Sequence, residues 1–467
     1  MLSRAPALTH AEVGFARPDR FGWMAIVRLG LVQASLGAIV VLTTSTMNRV
    51  MVVELALPAL LPGLLVGLYH VLQLVRPRFG YGADIGSRST PWIVGGMTVL
   101  ALGAIGAALA IALMERERSA GIFLAVTAFF AIGLGVGAAS TTMLALLAKR
   151  VDASRRAAAA SIVWVMMILG FIVTAAVAGH FLDPYSNGRL VAVTTAVSLV
   201  ALVVAVLAIR NLEGRALPAP SITAADGGAA RAGFGVALRE VWNDDAARQF
   251  SIFVFVSMLA YSAQDLILEP FAGLAFGYTP GESTRLSGVQ NTGVLLGMVM
   301  VAVLSSGVAG IRVGSLRSWT IAGCLGSALA LFSLVVAGLS APDWPLRASV
   351  FVLGLMNGAF AVAAIGSMMA MAGSGRGARE GVRMGVWGAA QAIAFALGGV
   401  LATGAVDLVQ GALGSPVQAY TIVFAVEALA FLMAARLAFG VARKSRFEVP
   451  SPVPANGGAC PATVGFD

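Results

Sequence analysis

Long apolar segments alternate with short polar segments along almost the whole chain. Twelve predominantly apolar stretches can be marked, six before residue 210 and six after residue 247. An α-helix needs about 20 apolar residues to cross the hydrocarbon core of a bilayer, and each stretch is close to that length. The pattern predicts twelve membrane-spanning helices near residues 26–47, 58–75, 91–113, 121–147, 157–178, 190–209, 248–268, 284–306, 317–338, 346–371, 381–405 and 418–440.

The segment between the two sets of six is polar and rich in turn-forming residues. It contains Pro218, Pro220, Gly227 and Gly228, and five charged residues fall within 239–248. It therefore predicts a linker rather than a span. The expected organisation is an N-terminal segment 1–25, a six-helix bundle 26–209, a linker 210–247, a second six-helix bundle 248–440 and a tail 441–467.

The two halves show signs of a duplication. Gly133 and Gly137 in the fourth span match Gly354 and Gly358 in the tenth. The polar sequence that begins at Asn48 matches one that begins at Gln264, and these offsets lie within about 216–223 residues. Parallel six-plus-six repeats are the architecture of the major facilitator superfamily. We therefore predict an all-α polytopic membrane protein with that fold.

Composition and charge support a membrane protein and set its expected orientation. Of the 467 residues, 58% are apolar and 11% are charged, and the mean hydropathy is +0.89; soluble domains carry roughly 25% charged residues. The net charge of +9 does not indicate a nucleic-acid partner, because the basic residues lie in short loops between spans. Twenty-three of them fall on the side of the termini and six on the other, which predicts cytoplasmic termini and linker.

Ionisable residues lie near the ends of the first helix of each half. Asp265 and Glu269 share one face of the seventh span, which Pro270 is expected to end, and Asn48 and Arg49 lie at the end of the first span. Charged groups at membrane depth are costly and face a cavity or a partner. Arg49 could pair with Asp265 or Glu269 across a cavity. The alternative is that all of these residues lie in interfacial water.

The sequence offers few other chemical groups. His70 is the one histidine clearly inside a predicted span, whereas His180 is expected in a loop. An imidazole at that depth is either a hydrogen-bonded packing residue or an axial ligand for the magnesium of a chlorophyll-type pigment. No Gly-Lys-Ser/Thr sequence indicates a nucleotide site, and no arrangement of nucleophile, base and acid indicates an enzyme.

The loop between the second and third spans contains Gly80, Asp84 and Arg88 at the spacing of the facilitator signature loop. An aspartate there can lie against a helix N-terminus of the other half, where negative charge is favourable. The loop is therefore a candidate latch for the cytoplasmic side. The alternative is an ordinary basic loop.

Three sequence blocks together resemble the PucC family, the bacteriochlorophyll-delivery branch of the major facilitator superfamily. They are Asn48-Arg49-Val50-Met51, the stretch from Gln264 through Phe271, and the stretch from Gly385 through Gln391. The similarity extends over about residues 26–440. The form of the loop from Arg76 to Asp84 resembles most the branch associated with bacteriochlorophyll-synthesis genes.

The resemblance implies a carrier or assembly factor without catalytic activity. Its cargo would be bacteriochlorophyll or a late precursor, handed to light-harvesting or reaction-centre polypeptides near bacteriochlorophyll synthase in the photosynthetic inner membrane. Alternatives are a proton-coupled transporter of a small amphipathic solute, in which Asp265 and Glu269 titrate, and a scaffold for the synthase. The residues expected to line the cavity or contact the pigment are Asn48, Arg49, Glu54, His70, Gln264, Asp265, Glu269, Trp387 and Gln391.

Overall fold

The computed structural model describes residues 21–76, 79, 88–152, 155–213, 245–306, 313–373 and 380–447, which form twelve helices and contain no strand. The first half consists of α1 Trp23–Glu54, α2 Leu60–Val75, α3 Thr90–Met114, α4 Arg118–Arg150, α5 Arg156–Phe181 and α6 Asn187–Ile209. The second half consists of α7 Asp245–Phe276, α8 Pro280–Ser306, α9 Leu316–Leu339, α10 Leu346–Gly373, α11 Glu380–Leu413 and α12 Pro416–Phe447.

Each predicted span coincides with one helix. Among the described residues, 11 helices are long and apolar enough to cross a membrane, and α2 is an apolar but shorter helix. The chain is thus a multi-pass membrane protein, as predicted. Several helices run further than the apolar segments, for example α4, which spans Arg118–Arg150. Gly179 and His180 lie in the last turns of α5, so the prediction of a loop there was wrong.

The two halves repeat the same helix packing. In the first half α1 packs on α5 and α6, α3 packs on α4 and α6, and α2 packs on α4. In the second half, correspondingly, α7 packs on α11 and α12, α9 packs on α10 and α12, and α8 packs on α10. Each helix number is six higher than in the first half. Across the boundary α2 packs on α11 and α5 packs on α8, and these two contacts are equivalent under the same rule. This arrangement confirms the predicted duplication.

Glycines allow close packing between helices at the predicted positions. A Cβ atom built on Gly354 or Gly358 would lie 2.1 or 2.0 Å from a backbone oxygen of α8. One on Gly133 would lie 2.9 Å from the Leu72 Cβ atom, whereas one on Gly137 would lie 3.3 Å from the Phe79 ring and 3.8 Å from the Arg76 Cγ atom. The expected close contact is confirmed at three of the four glycines, since small residues let membrane helices approach.

The expectation that Pro270 ends the seventh span was wrong, because α7 continues through it to Phe276. Proline has no N–H group, so it cannot donate to the carbonyl oxygen four residues earlier. That oxygen belongs to Leu266, and the Asn48 side-chain amide donates to it at 2.6 Å from α1. A side chain of the other half thus supplies a donor where the helix lacks one.

A carboxylate after α6 caps the start of α3. Glu213 is buried and accepts hydrogen bonds from the backbone N–H groups of Ser89 and Thr90 and from the Thr90 hydroxyl. Desolvation alone would raise the pKa of Glu213, but these hydrogen bonds outweigh it and hold the pKa below its ordinary value. The cap ties the end of the first half to its third helix.

Candidate functional site

Polar residues of both halves meet at one end of the bundle. We call it the distal end. Because the number of helices is even, the first and the last described residues both lie at the opposite end of the bundle. The distal cluster consists of Asn48, Arg49 and Glu54 from α1, Glu269 from α7 and Ser287 from α8. All of these except Glu54 are buried. The side chains of Asn48, Arg49, Glu269 and Ser287 are therefore enclosed by the protein.

The Arg49 side chain is bound to Glu54 rather than to an acidic residue of the second half. Its Nη1 atom forms an ion pair with Glu54, and its Nη2 atom donates to the Tyr278 carbonyl oxygen at 2.5 Å. The predicted pairing with Asp265 or Glu269 was therefore wrong. Residues 50–54 form a π-helical turn, with the Leu55 N–H bonded to the Val50 oxygen, and this turn places residues five apart on one side.

Glu269 connects three helices at the centre of the cluster. It is 1% exposed, and one carboxyl oxygen accepts a hydrogen bond from Ser287. The Ser287 hydroxyl also lies 3.5 Å from the Ser45 hydroxyl of α1. The second carboxyl oxygen of Glu269 has no partner among the described residues. Asp265, one turn earlier, is half-buried.

Further buried polar atoms have no partner in the described part of the chain. They include both amide atoms of Gln264, which is fully buried, the Oδ1 atom of Asn48 and the Nε atom of Arg49. Leaving such an atom unpaired costs about 1–3 kcal/mol. The region can therefore gain stability by hydrogen bonding to water or to a bound molecule.

Two aspartates that the sequence analysis did not single out join the halves at the distal end. Asp407 of α11 accepts hydrogen bonds from the backbone N–H groups of Ala59 and Leu60, at 2.9 and 2.7 Å, where α2 begins. Asp183, after α5, accepts one from the Gly281 N–H at 3.2 Å, where α8 begins. Carboxylates are favourable at helix N-termini. The two contacts are equivalent in the repeat, and both join the two halves at the distal end.

The remaining predicted residues are spread over the protein. The His70 ring is half-buried near the other end of α2, and its centroid lies 5.4 Å from that of Phe395 on α11. Trp387 is 1% exposed and packs edge-on against Phe250, while Gln391 is half-buried. Of the proposed latch, Gly80 and Asp84 lie outside the described residues. Arg88 is exposed.

The described residues also form two apolar cavities that open at the outer surface of the helix bundle. One, of about 460 Å³, lies between α3 and α4 and is lined by Phe79, Trp92, Gly95 and Gly135, among others. The second, of about 330 Å³, lies between α7, α11 and α12, and Glu427 is one of the residues that line it. Sites between the helices of a bundle are common places for apolar ligands.

A family model described as "PUCC protein" matches residues 46–446. The chain is 50% identical over 432 residues to the "Bacteriochlorophyll synthase 44.5 kDa chain" of Rhodobacter capsulatus, covering 92% of this chain and 98% of that protein. It is 30% identical over 442 residues to "Protein PucC" of Rhodobacter capsulatus, covering 89% and 91%.

Among solved structures, a peptide transporter in complex with sulfate matches with a TM-score of 0.68 and 14% identity, covering 91% of this chain and 96% of that one. A proton-dependent oligopeptide transporter matches with a TM-score of 0.67 and 17% identity, covering 91% and 99%. At this identity the likeness shows a major facilitator type of fold, and not a shared substrate.

Proposed function

The chain belongs to the PucC family, and from this premise we propose that it carries bacteriochlorophyll, or a late precursor, from synthesis to light-harvesting or reaction-centre polypeptides. The observation that supports this most is the 50% identity to a relative that is named after bacteriochlorophyll synthase and matched over 98% of its length. We propose a carrier and not a catalyst, which works beside the synthase in the photosynthetic inner membrane with both chain termini in the cytoplasm.

The physical reason for such a carrier lies in the cargo. Bacteriochlorophyll combines a flat magnesium-containing ring with a long apolar tail, so it stays in the bilayer and is photochemically hazardous when free. A protein with cavities that open sideways into the lipid can receive and release it without a passage through water. The two lipid-facing cavities of the structure are consistent with this route.

The decisive experiment is to isolate the full chain from a phototrophic host in a mild detergent and to record its absorption spectrum. We expect near-stoichiometric pigment of the bacteriochlorophyll type, together with co-eluting synthase or antenna polypeptides identified by mass spectrometry. A facilitator of another family, produced and purified in the same way, is the control. A pigment content equal to that control would contradict the proposal.

His70 is the candidate axial ligand of the pigment magnesium, and a histidine pair tests it. His70→Leu should shift or remove the pigment band, because it deletes the imidazole nitrogen. His180→Leu is the matched control, since His180 is exposed at the end of α5. Equal spectra of both variants and the wild type would assign the ligand to another group.

A proton-coupled transporter of a small amphipathic solute is the second candidate. It is favoured by Glu269, a buried carboxyl with one unpartnered oxygen on the first helix of the second half. Solute uptake into proteoliposomes that depends on a proton gradient and is lost in Glu269→Gln would support it. A stable complex with the synthase that contains neither pigment nor transport activity would instead support the scaffold.

A further inference from the structure

The cavity between α7, α11 and α12 is a narrow groove that follows the helix axes. We call it the Glu427 groove. Small side chains leave its space open, namely those of Ala260, Ala263, Ala402, Ala405 and Ala430, together with Gly398. Leu401 and Val426, which are 56% and 59% exposed, form part of its wall, so the groove faces the lipid. On α11 it extends from Gly398 to Val409, which corresponds to about 16 Å of helix.

Glu427 gives this apolar groove a single strongly polar group. Its side chain is 5% exposed, and neither carboxyl oxygen has a hydrogen-bond partner among the described residues. The residue lies near the middle of the membrane-spanning window Pro416–Gly440. Burying a carboxyl group at that depth costs free energy unless a partner forms a hydrogen bond with it. A leucine would fill the same space without this cost, and a ligand that offered one polar atom to the carboxyl would remove the cost.

The depth of Glu427 limits what that ligand can be. The hydrocarbon core is about 30 Å thick, so the ester groups of a phospholipid lie about 15 Å from its centre. They cannot reach Glu427 unless the charged headgroup is buried as well. A ligand that fits has a long hydrocarbon chain joined through an ester to a body that is itself mostly apolar. A tetrapyrrole ring esterified with an isoprenoid alcohol meets this description, and the carboxyl proton can be donated to the ester carbonyl oxygen.

We infer that the Glu427 groove binds the isoprenoid tail of bacteriochlorophyll and that Glu427 hydrogen-bonds the ester at its head. This inference rests on the proposed function and adds the site of the cargo, which is distant in sequence from every residue of the distal cluster. The groove recognises the esterified pigment, whereas the tail-less acid form lacks the chain that fills it. The carrier therefore selects the finished pigment over its immediate tail-less precursor.

The test is a fluorescence titration of the purified full chain in nanodiscs with bacteriochlorophyll and with tail-less bacteriochlorophyllide. We expect the wild type to bind the esterified pigment at least about tenfold more tightly. Ala402→Phe, which fills the groove, and Glu427→Leu, which removes the hydrogen bond, should each weaken that binding about tenfold. Glu427→Gln keeps a donor and should keep most of the affinity. Leu408→Phe on the same helix is the control, because Leu408 is 78% exposed and outside the groove.

The outcomes separate the inference from the proposed function. If the wild type binds pigment but Glu427→Leu binds it equally well, or if both pigment forms bind equally, the groove is not the tail site and the carrier function stands. If the wild type binds neither form, both proposals fail. Circular dichroism and size-exclusion profiles identify a variant that misfolds. If Ala402→Phe misfolds, Glu427→Leu decides the question, because a leucine side chain is compatible with an apolar site.

Discussion

Replacing Asn48 of α1 by alanine should destabilise the protein, because α7 loses a hydrogen-bond donor. The Asn48 amide donates at 2.6 Å to the Leu266 carbonyl oxygen. Pro270 has no N–H group and cannot donate to that oxygen within α7. A buried carbonyl that loses its donor costs about 1–3 kcal/mol. Asn48 is fully buried, so water does not compensate, and we expect a loss of about 2 kcal/mol in the free energy of unfolding.

A double-mutant cycle isolates this effect from the general cost of shortening a buried side chain. Pro270→Ala restores a backbone N–H that can donate to Leu266 along α7. In that background Asn48→Ala should cost less, with a coupling energy of about 1–2 kcal/mol. Asn291→Ala serves as the control, because the Asn291 amide donates to the Ser287 carbonyl four residues earlier on its own helix. It should not couple to Pro270.

The measurement is the loss of helical circular dichroism of the detergent-solubilised full chain on titration with sodium dodecyl sulfate, read as a free energy for each of the four proteins. Pigment content gives a second, independent readout. If the two single changes add to within about 0.5 kcal/mol, the residues are independent. The explanation of the uninterrupted α7 would then be refuted.

Three further outcomes follow from the described contacts, and a fourth follows from the distribution of basic residues. Gly358→Leu should lower the folded yield strongly and Gly411→Leu little, since a Cβ at 411 meets nothing within 4 Å; equal yields would contradict the packing argument. Arg49→Ala should cost about 1–3 kcal/mol and reduce pigment content, because the Tyr278 carbonyl oxygen loses its donor; unchanged stability would count against it. Glu213 has a lowered pKa in the folded protein, so its contribution is present at neutral pH and lost as pH falls through that pKa. The stability gap between wild type and Glu213→Gln should therefore close in acid, and a pH-independent gap would exclude the cap. A cysteine at position 227 should react with an impermeant reagent only from the cytoplasmic side; periplasmic labelling would reverse the orientation.

The helices and the repeat could be predicted because they depend on properties of single segments. A run of apolar residues is helical in lipid whatever it packs against, since its backbone groups have no other partners. The end of the seventh span was predicted wrongly at Pro270. The donor that replaces the missing N–H group is the side chain of Asn48, which is more than 200 residues away in the sequence. A segment read alone does not contain that information.

The candidate site was predicted in composition but not in its contacts. Arg49 and Glu54 were both named, yet a regular helix would place residues five apart on different faces, and their pairing depends on a π-helical turn. Glu427 was missed, although it is a carboxyl near the middle of the last predicted span. The cost of a charge at that depth was a sufficient signal to single it out.

The contacts of Asp183 and Asp407 have a consequence for how this family can change over time. Both carboxylates bind backbone N–H groups of the opposite half, at Gly281 and at Ala59 and Leu60. Every residue except proline carries that N–H, so positions 59 and 60 can vary while the contact with Asp407 persists. At Gly281, by contrast, a Cβ atom would lie 2.3 Å from the Asp183 Oδ2 atom. Asp407 is therefore constrained alone, whereas Asp183 also forms an ion pair with the Arg285 side chain of α8 at 3.3 Å and can change together with it. Correlated substitution between the halves should therefore be absent at the Asp407 contact and present at the Asp183 contact.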